Sequence, residues 1–195
     1  MTLPEVRRAT ADKDQDTAIQ ALVLGFGADP VFRWLWPSPR DYLATMPDFS
    51  RAFGGRAFEH DTAHLVEGGK AAALWLPPGA EVDGEEVGAV LARSLPEDRL
   101  ADVMGVLEHM DEYHPDDPCW YLSMIAADPN WIGQGLGAAL MKHALLAADE
   151  AGLPAYLESS NPRNVAFYER HGFEVLGEIQ VGGSPVVRPM IRAPR

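Results

Sequence analysis

Apolar residues recur along the chain with periods that switch between helical and strand-like, and the switches mark its elements. Residues 6–9 are short and β-compatible, and residues 10–16 supply capping side chains. Ile19, Leu22, Val23 and Phe26 then recur at helical spacing. Residues 27–37 mix turn formers with the rings of Phe32, Trp34 and Trp36 and read as a loop, which Pro37 and Pro39 extend. A second helix is expected over about residues 40–53, bent by Pro47. The apolar runs 62–67 and 70–76 flank Gly68-Gly69, a hairpin signal.

Residues 79–88 are acidic and glycine-bearing, hence a loop. Ser94 and Glu97 stand at capping-box spacing around Pro96. With Leu100, Val103, Leu107 and Met110 at helical intervals, they predict a helix over 96–113. The near-continuous apolar run 120–127 reads as a strand buried on both faces. Leu136, Leu140, Met141, Leu145 and Ala148 place a helix at 135–151, stopped by Gly152 and Pro154. A strand at 155–159, a short helix at 164–171 ended by Gly172, and a closing pair of strands at 173–181 and 186–192 complete the order. The alternation predicts an α/β chain, more exactly an α+β arrangement, whose central mixed sheet is flanked by helices. No repeat or linker divides residues 1–195, so one domain is expected.

Composition narrows the chemistry. Acidic side chains number 29 against 16 basic ones, a net charge of −13, which disfavours nucleic acid and anionic membrane as partners. No apolar run approaches the 18 or so residues that span a bilayer. The start of the chain, with Glu5, Arg7 and Arg8, lacks a signal-peptide layout, so a cytoplasmic location is expected. Cys119 is the single cysteine, which excludes an intrachain disulfide and argues against cysteine-held zinc; it reads as a small buried hydrophobe. His109 and His114 lie five residues apart, on different faces of one helix, so no metal site is expected.

The informative segment is Asp128-Pro129-Asn130-Trp131-Ile132-Gly133-Gln134-Gly135-Leu136-Gly137, between a buried strand and a long helix. Alternate glycines at such a turn let the backbone approach a ligand, while the helix's first N–H groups stay unpaired and attract phosphate. A plain glycine-rich helix entry is the alternative reading. The G-x-G-x-G spacing is not a dinucleotide fingerprint, and Ala138 after Gly137 excludes a Walker loop.

The segment resembles the signature of the GNAT superfamily of acetyl-CoA-dependent N-acetyltransferases: Gln or Arg, two residues, Gly, one residue, then Gly or Ala. Here it falls on Ile132, Gly135 and Gly137, so the small positions match and the polar one is replaced. Residues 119–175 resemble puromycin N-acetyltransferase-like members through Trp120-Tyr121-Leu122, Leu157-Glu158-Ser159-Ser160, and Pro162-Arg163-Asn164 followed by Phe167-Tyr168-Glu169-Arg170. The resemblance implies the GNAT acyl-CoA N-acyltransferase fold. It implies an acetyl-CoA site formed by Ile125, Ala126 and Ala127 of the strand, Ile132, Gly133, Gln134, Gly135, Leu136, Gly137 and Ala138 of the turn, and Asn164 and Phe167 beyond it. Tyr168 resembles the tyrosine that protonates the departing thiolate.

An amine attacking a thioester needs a donor for the developing oxyanion, an acid for the leaving sulfur and a route for its surplus proton. Glu158 is the candidate carboxylate to hold or deprotonate the amine, against the reading of a solvated or salt-bridged side chain. Tyr168 has the alternative of a core ring with its hydroxyl at the surface. Phe26, Trp34 and Trp36 are candidate substrate contacts because the resemblance borders the acceptor site with their loop, although large rings such as Trp34 and Trp36 are more often core. The expectation is direct acetyl transfer, in a ternary complex, from acetyl-CoA to a small cationic primary amine with an apolar or aromatic body. A protein N-terminus or lysine as acceptor, and a non-catalytic acyl-CoA-binding regulator, stay open, as does a homodimer.

Overall fold

The computed structural model describes residues 4–10 and 12–195. The chain runs through β1 (Val6–Arg8), α1 (Asp12–Gly25), α2 (Pro30–Leu35), α3 (Pro39–Gly54), α4 (Arg56–Glu59), β2 (Ala63–Val66) and β3 (Ala71–Leu76). It continues through α5 (Gly84–Ser94), α6 (Glu97–Tyr113), β4 (Trp120–Ala127), α7 (Leu136–Ala151), β5 (Ala155–Ser159), α8 (Val165–Glu169), β6 (Glu174–Val175) and β7 (Arg188–Arg192). The seven strands form one sheet in the order β1-β2-β3-β4-β5-β7-β6, antiparallel except for the parallel pair β4–β5. Among the described residues no helix is long and apolar enough to cross a membrane.

Two segments expected as loops are helices, each for a capping reason. Asp29 Oδ1 accepts from Val31 N at 2.9 Å and Phe32 N at 3.4 Å, and Pro30 fits the first turn, so α2 forms within the aromatic segment. Asp83 accepts from Glu86 N at 3.0 Å and starts α5 inside the acidic stretch, with Val87, Val90 and Leu91 as its buried stripe. The closing strands are shorter than expected. β6 has two residues and β7 five, joined across the intervening loop by one bridge, Ile179–Val187. β7 inserts between β5 and β6, and Arg192 fixes it to the end of α7 by two bonds to the Asp149 carboxylate at 2.8 and 2.9 Å.

Strand alternation sorts the core. Ala72, Leu74 and Leu76 of β3 face the layer of α1, α3 and α5, whereas Ala71, Ala73 and Trp75 face α7. On β4 the phase slips: Tyr121 and Met124 point to the first layer although they are three residues apart. The slip is a bulge at Ser123, where Trp75 pairs with Leu122 but Leu74 with Met124, and Ser123 Oγ donates to Leu74 O at 3.0 Å. From Ile125 to Ala127 the strand is only half-buried, which departs from the expectation of burial on both faces throughout.

The end of β4 is set by α1. A side chain on Gly25, at the last turn of α1, would place its Cβ 2.5 Å from Ala126 Cβ and 2.7 Å from Ala127 O. We expect Gly25→Ala to force helix and strand apart and destabilise the fold by about 1–3 kcal/mol, the usual cost of overpacking. A urea midpoint equal to that of the unsubstituted protein would contradict this contact.

Candidate active site

The site opens where β4 and β5 part. They pair only at Trp120–Ala155 and Tyr121–Tyr156, after which the Ser123 bulge turns β4 while β5 stays in register with β7 as far as Ser159. A bulge sharpens local twist, and a parallel neighbour held from its other side cannot follow. The half-buried main chain of Ile125, Ala126 and Ala127 lies beyond the point of parting.

The glycine-bearing turn follows directly. Asp128 accepts from Asn130 N at 2.8 Å and holds a 3₁₀ turn over Pro129–Trp131. Gly133 and Gly135 have φ of 81° and 78°, the left-handed region that favours glycine. Ile132, Gln134 and both glycines are exposed, and a Cβ on either glycine would meet nothing within 4 Å. The first intrahelical bond of α7 runs from Ala139 N to Gly135 O at 3.0 Å, and no side chain caps the amides of Leu136, Gly137 and Ala138 before it. Leu136 itself is buried and anchors the turn. The structure thus places an open, uncapped helix N-terminus beside the parted strands, which fits the pyrophosphate of a CoA ester. Phe167 of α8 closes in from the side, its ring 3.4 Å from where a Cβ on Gly137 would lie.

A cavity runs from this opening under α2 and α6. Glu158, Asn164 and Tyr168 line it together, as do Phe26 and Trp34. Glu158 accepts from Tyr121 Oη at 2.7 Å. Burial pushes its carboxyl up to about 7, against the opposing pull of the Tyr121 and Tyr156 phenols; Tyr156 Oη makes no hydrogen bond of its own. Burial, then the charge of Asp29, holds the Tyr168 phenol above the usual tyrosine range, so it carries its proton at neutral pH. Tyr168 is fixed edge-on between Phe167 at 5.2 Å and Phe173 at 6.1 Å. A carboxyl that titrates near neutrality and a phenol that keeps its proton are the two proton-handling groups acyl transfer to an amine requires.

Trp36 is the exception among the expected contacts. It is 1% exposed, stacks on Phe32 at 6.3 Å, and donates from Nε1 to Ser94 Oγ at 3.1 Å. It is a core residue and does not line the cavity. Trp36 follows the last turn of α2 with φ −125° and ψ 84°, and this break in the helix carries its ring back into the core beside Phe32 and Phe49.

Four contributors were missed in the sequence. Tyr121, on the adjacent strand β4, donates to Glu158 and opposes the rise that burial causes. Asp29, 4% exposed, caps α2 with one oxygen and accepts from Ser160 Oγ at 2.7 Å with the other, tying α2 to the segment after β5. The Asp-Pro pair was a legible cap; the Ser160 link spans 131 residues and was not. The fourth is the apolar stripe of α6, which faces the cavity.

Residues 29–173 match the Acetyltransferase (GNAT) family. The chain is 27% identical over 123 residues to the peptidyl-lysine N-acetyltransferase YjaB of Salmonella typhimurium, covering 51% of this chain and 82% of that protein. A Corynebacterium glutamicum structure described as histone acetyltransferase HPA2 and related acetyltransferase superimposes with a TM-score of 0.71 at 22% identity, covering 100% of this chain and 98% of the other. The polyamine N-acetyltransferase of Drosophila melanogaster does so with a TM-score of 0.66 at 13% identity, over 97% and 99% of the two chains.

The raised Glu158 value has a signed consequence for stability. The unfolded chain releases this proton near 4.5, the folded one near 7, so stability falls as pH rises between the two and is level above. Glu158→Gln removes the loss. We expect its melting temperature to match the unsubstituted protein at pH 4 and to exceed it at pH 8, by an equivalent of up to about 3 kcal/mol at about 1.4 kcal/mol per pH unit. Equal melting temperatures at both pH values would mean the carboxyl is not desolvated.

Proposed function

Because the chain belongs to the acetyltransferase (GNAT) family, we propose that it transfers acetyl from acetyl-CoA directly to the primary amine of a small molecule with an apolar or aromatic body. The observation that carries this reading is Glu158, a desolvated carboxyl hydrogen-bonded to Tyr121 on the wall of a largely apolar cavity. An ammonium entering there is drawn to the carboxylate and to ring faces such as Trp34, a cation–π contact worth about 0.5–2 kcal/mol. The polyamine N-acetyltransferase of Drosophila, whose fold this chain shares, has a name that points the same way.

Acetyl-CoA, when bound, supplies the activated acyl thioester. The amides at the start of α7 and the turn at 132–138 hold its pyrophosphate, and Asn164, Phe167 and the main chain of Ile125, Ala126 and Ala127 align its arm. Glu158 takes the amine's surplus proton at a carboxylate oxygen, directly or through water. Tyr168 keeps a proton at Oη for the sulfur that leaves. Ile132 brings no charge to the phosphates, so backbone amides carry that contact.

A second reading, a lysine side chain of a protein as acceptor, is favoured by the peptidyl-lysine N-acetyltransferase, which matches over half of this chain. The two separate in one assay of thiol release, with a panel of small amines set against a lysine-containing peptide. We expect the amines to be preferred, and exclusive turnover of the peptide would overturn the proposal.

Two variants test the roles. Tyr168→Phe is expected to lower kcat by about 10²- to 10⁴-fold with the KM for acetyl-CoA nearly unchanged, the pattern of a lost acid. Gly135→Val places a branched side chain at positive φ beside the phosphate contact and is expected to weaken acetyl-CoA binding in a protein that still folds. In the unsubstituted enzyme kcat/KM for the amine should rise through about pH 7 as Glu158 deprotonates. Glu158→Gln should remove that limb and raise the amine's KM more than that of acetyl-CoA. A limb that survives the substitution assigns the titration to another group.

A further inference from the structure

The helix α6 is long, 17 residues, yet only Val103 and Val106 are buried. Its remaining apolar stripe, Leu107 and Met110 included, is half-buried, because it faces the cavity. An amphipathic helix normally rests its stripe on other side chains, since burial of that stripe is what holds it in place. Part of the α6 stripe does so, Leu100 and Leu107 packing against the main core and Met110 against the cluster of Val106, Ile179 and Val187, while polar and glycine contacts hold the helix at the side. The Arg99 guanidinium lies 5.2 Å from the Trp34 ring centroid and donates to the Trp34 carbonyl. Asp102 accepts from Gly183 N at 3.3 Å, and Gly105 sits against Val181, where a Cβ would lie 3.0 Å from Cγ1. These contacts pin α6 to α2 and to the loop before β7, and the stripe is left to line the same space that Glu158 lines from the sheet.

Building on the acetyl-transfer reading, we infer that α6 is the specificity-determining wall of the acceptor site: Val103, Val106, Leu107 and Met110 receive the apolar body of an amine whose nitrogen is held at Glu158. The occupant follows from the chemistry of the two ends. The carboxyl selects a cationic nitrogen, and the stripe offers no hydrogen-bond partner, so a peptide backbone lying along it would leave its amides unpaired at a cost of about 1–3 kcal/mol each. A hydrocarbon chain or ring loses nothing there and gains about 0.8 kcal/mol per buried methylene, or about fourfold in affinity. The distance from Glu158 to α6 then sets the longest body accepted.

The test uses linear primary alkylamines from ethylamine to decylamine, with kcat/KM read by thiol release and binding read separately by calorimetry. In the unsubstituted protein both should improve about fourfold per methylene up to a limiting length and then decline. Leu107→Trp, which fills the space, should shorten that limit by two or more carbons; Met110→Ala, which enlarges it, should lengthen the limit. Ethylamine should be nearly unaffected by either. A merely structural role for α6 would lower all lengths in proportion and leave the limit where it was, and that result overturns the inference, as does a failure of every alkylamine to bind. Chain-length-dependent binding that the variants shift, without any thiol release, would overturn the acetyl-transfer reading and leave the wall standing. The two substitutions push in opposite directions, so poor folding of one leaves the other decisive.

Discussion

Everything the site does depends on two strands ceasing to pair. β4 and β5 share two residue pairs and then diverge, and the divergence starts beside the extra residue at Ser123. Had the parallel ladder continued, the main chain of β4 beyond Ser123 would be bonded to β5 and no edge of β4 would be open. Instead β4 is held to β3 from Tyr121 to Ala127, apart from the bulge, and β5 to β7 along its length, so each strand keeps one paired edge where the two part. The bulge costs little because Ser123 Oγ bonds back to the Leu74 carbonyl within the irregularity itself.

The cleft has unlike ends. Toward α7 it presents uncapped amides, exposed glycines and the helix's positive pole, an environment for anions. Toward α2 and α6 it presents rings and aliphatic side chains around one carboxyl. The chain's net charge of −13 disfavours an anion at long range, but salt screens exposed charges beyond about 10 Å, so the local amides dominate the field at the turn. Glu158 is a different case. Its desolvation is costly, Tyr121 offsets part of that cost, and the remainder raises its titration to about 7.

Asp29 links the acceptor side to the sheet. One oxygen starts α2, which carries Phe32 and Trp34 to the cavity wall; the other accepts from Ser160, just past Glu158 in the chain. The same charge contributes to holding the Tyr168 phenol protonated. A single buried carboxylate therefore contributes to helix initiation, to placement of the segment after β5 and to the raised titration of the Tyr168 phenol. Its own titration is raised by burial because those three bonds do not fully replace water.

The sequence by itself determined the succession of the strands and of the long helices α1, α3, α6 and α7, the extents of the strands at 120–127 and 155–159, the hairpin around Gly68-Gly69, and the glycine turn before α7. These follow from period, caps and turn residues, which act between positions a few residues apart. It also held the caps of α2 and α5, Asp29 and Asp83, but prolines and aromatic rings around one and glycines and acidic residues around the other masked the helices they begin. Only the tertiary structure decided that β7 enters between β5 and β6, that β4 carries a bulge opposite Leu74, and that Trp34 lines the cavity while Trp36 is core. It alone also brought Tyr121 to Glu158 across 37 residues and set one edge of the packed stripe of α6 against a cavity. The reason is physical: a hydrogen bond between i and i+4 is written locally, whereas strand partners, desolvation and the faces of a cavity are set by residues far along the chain, and no local pattern encodes who those neighbours are.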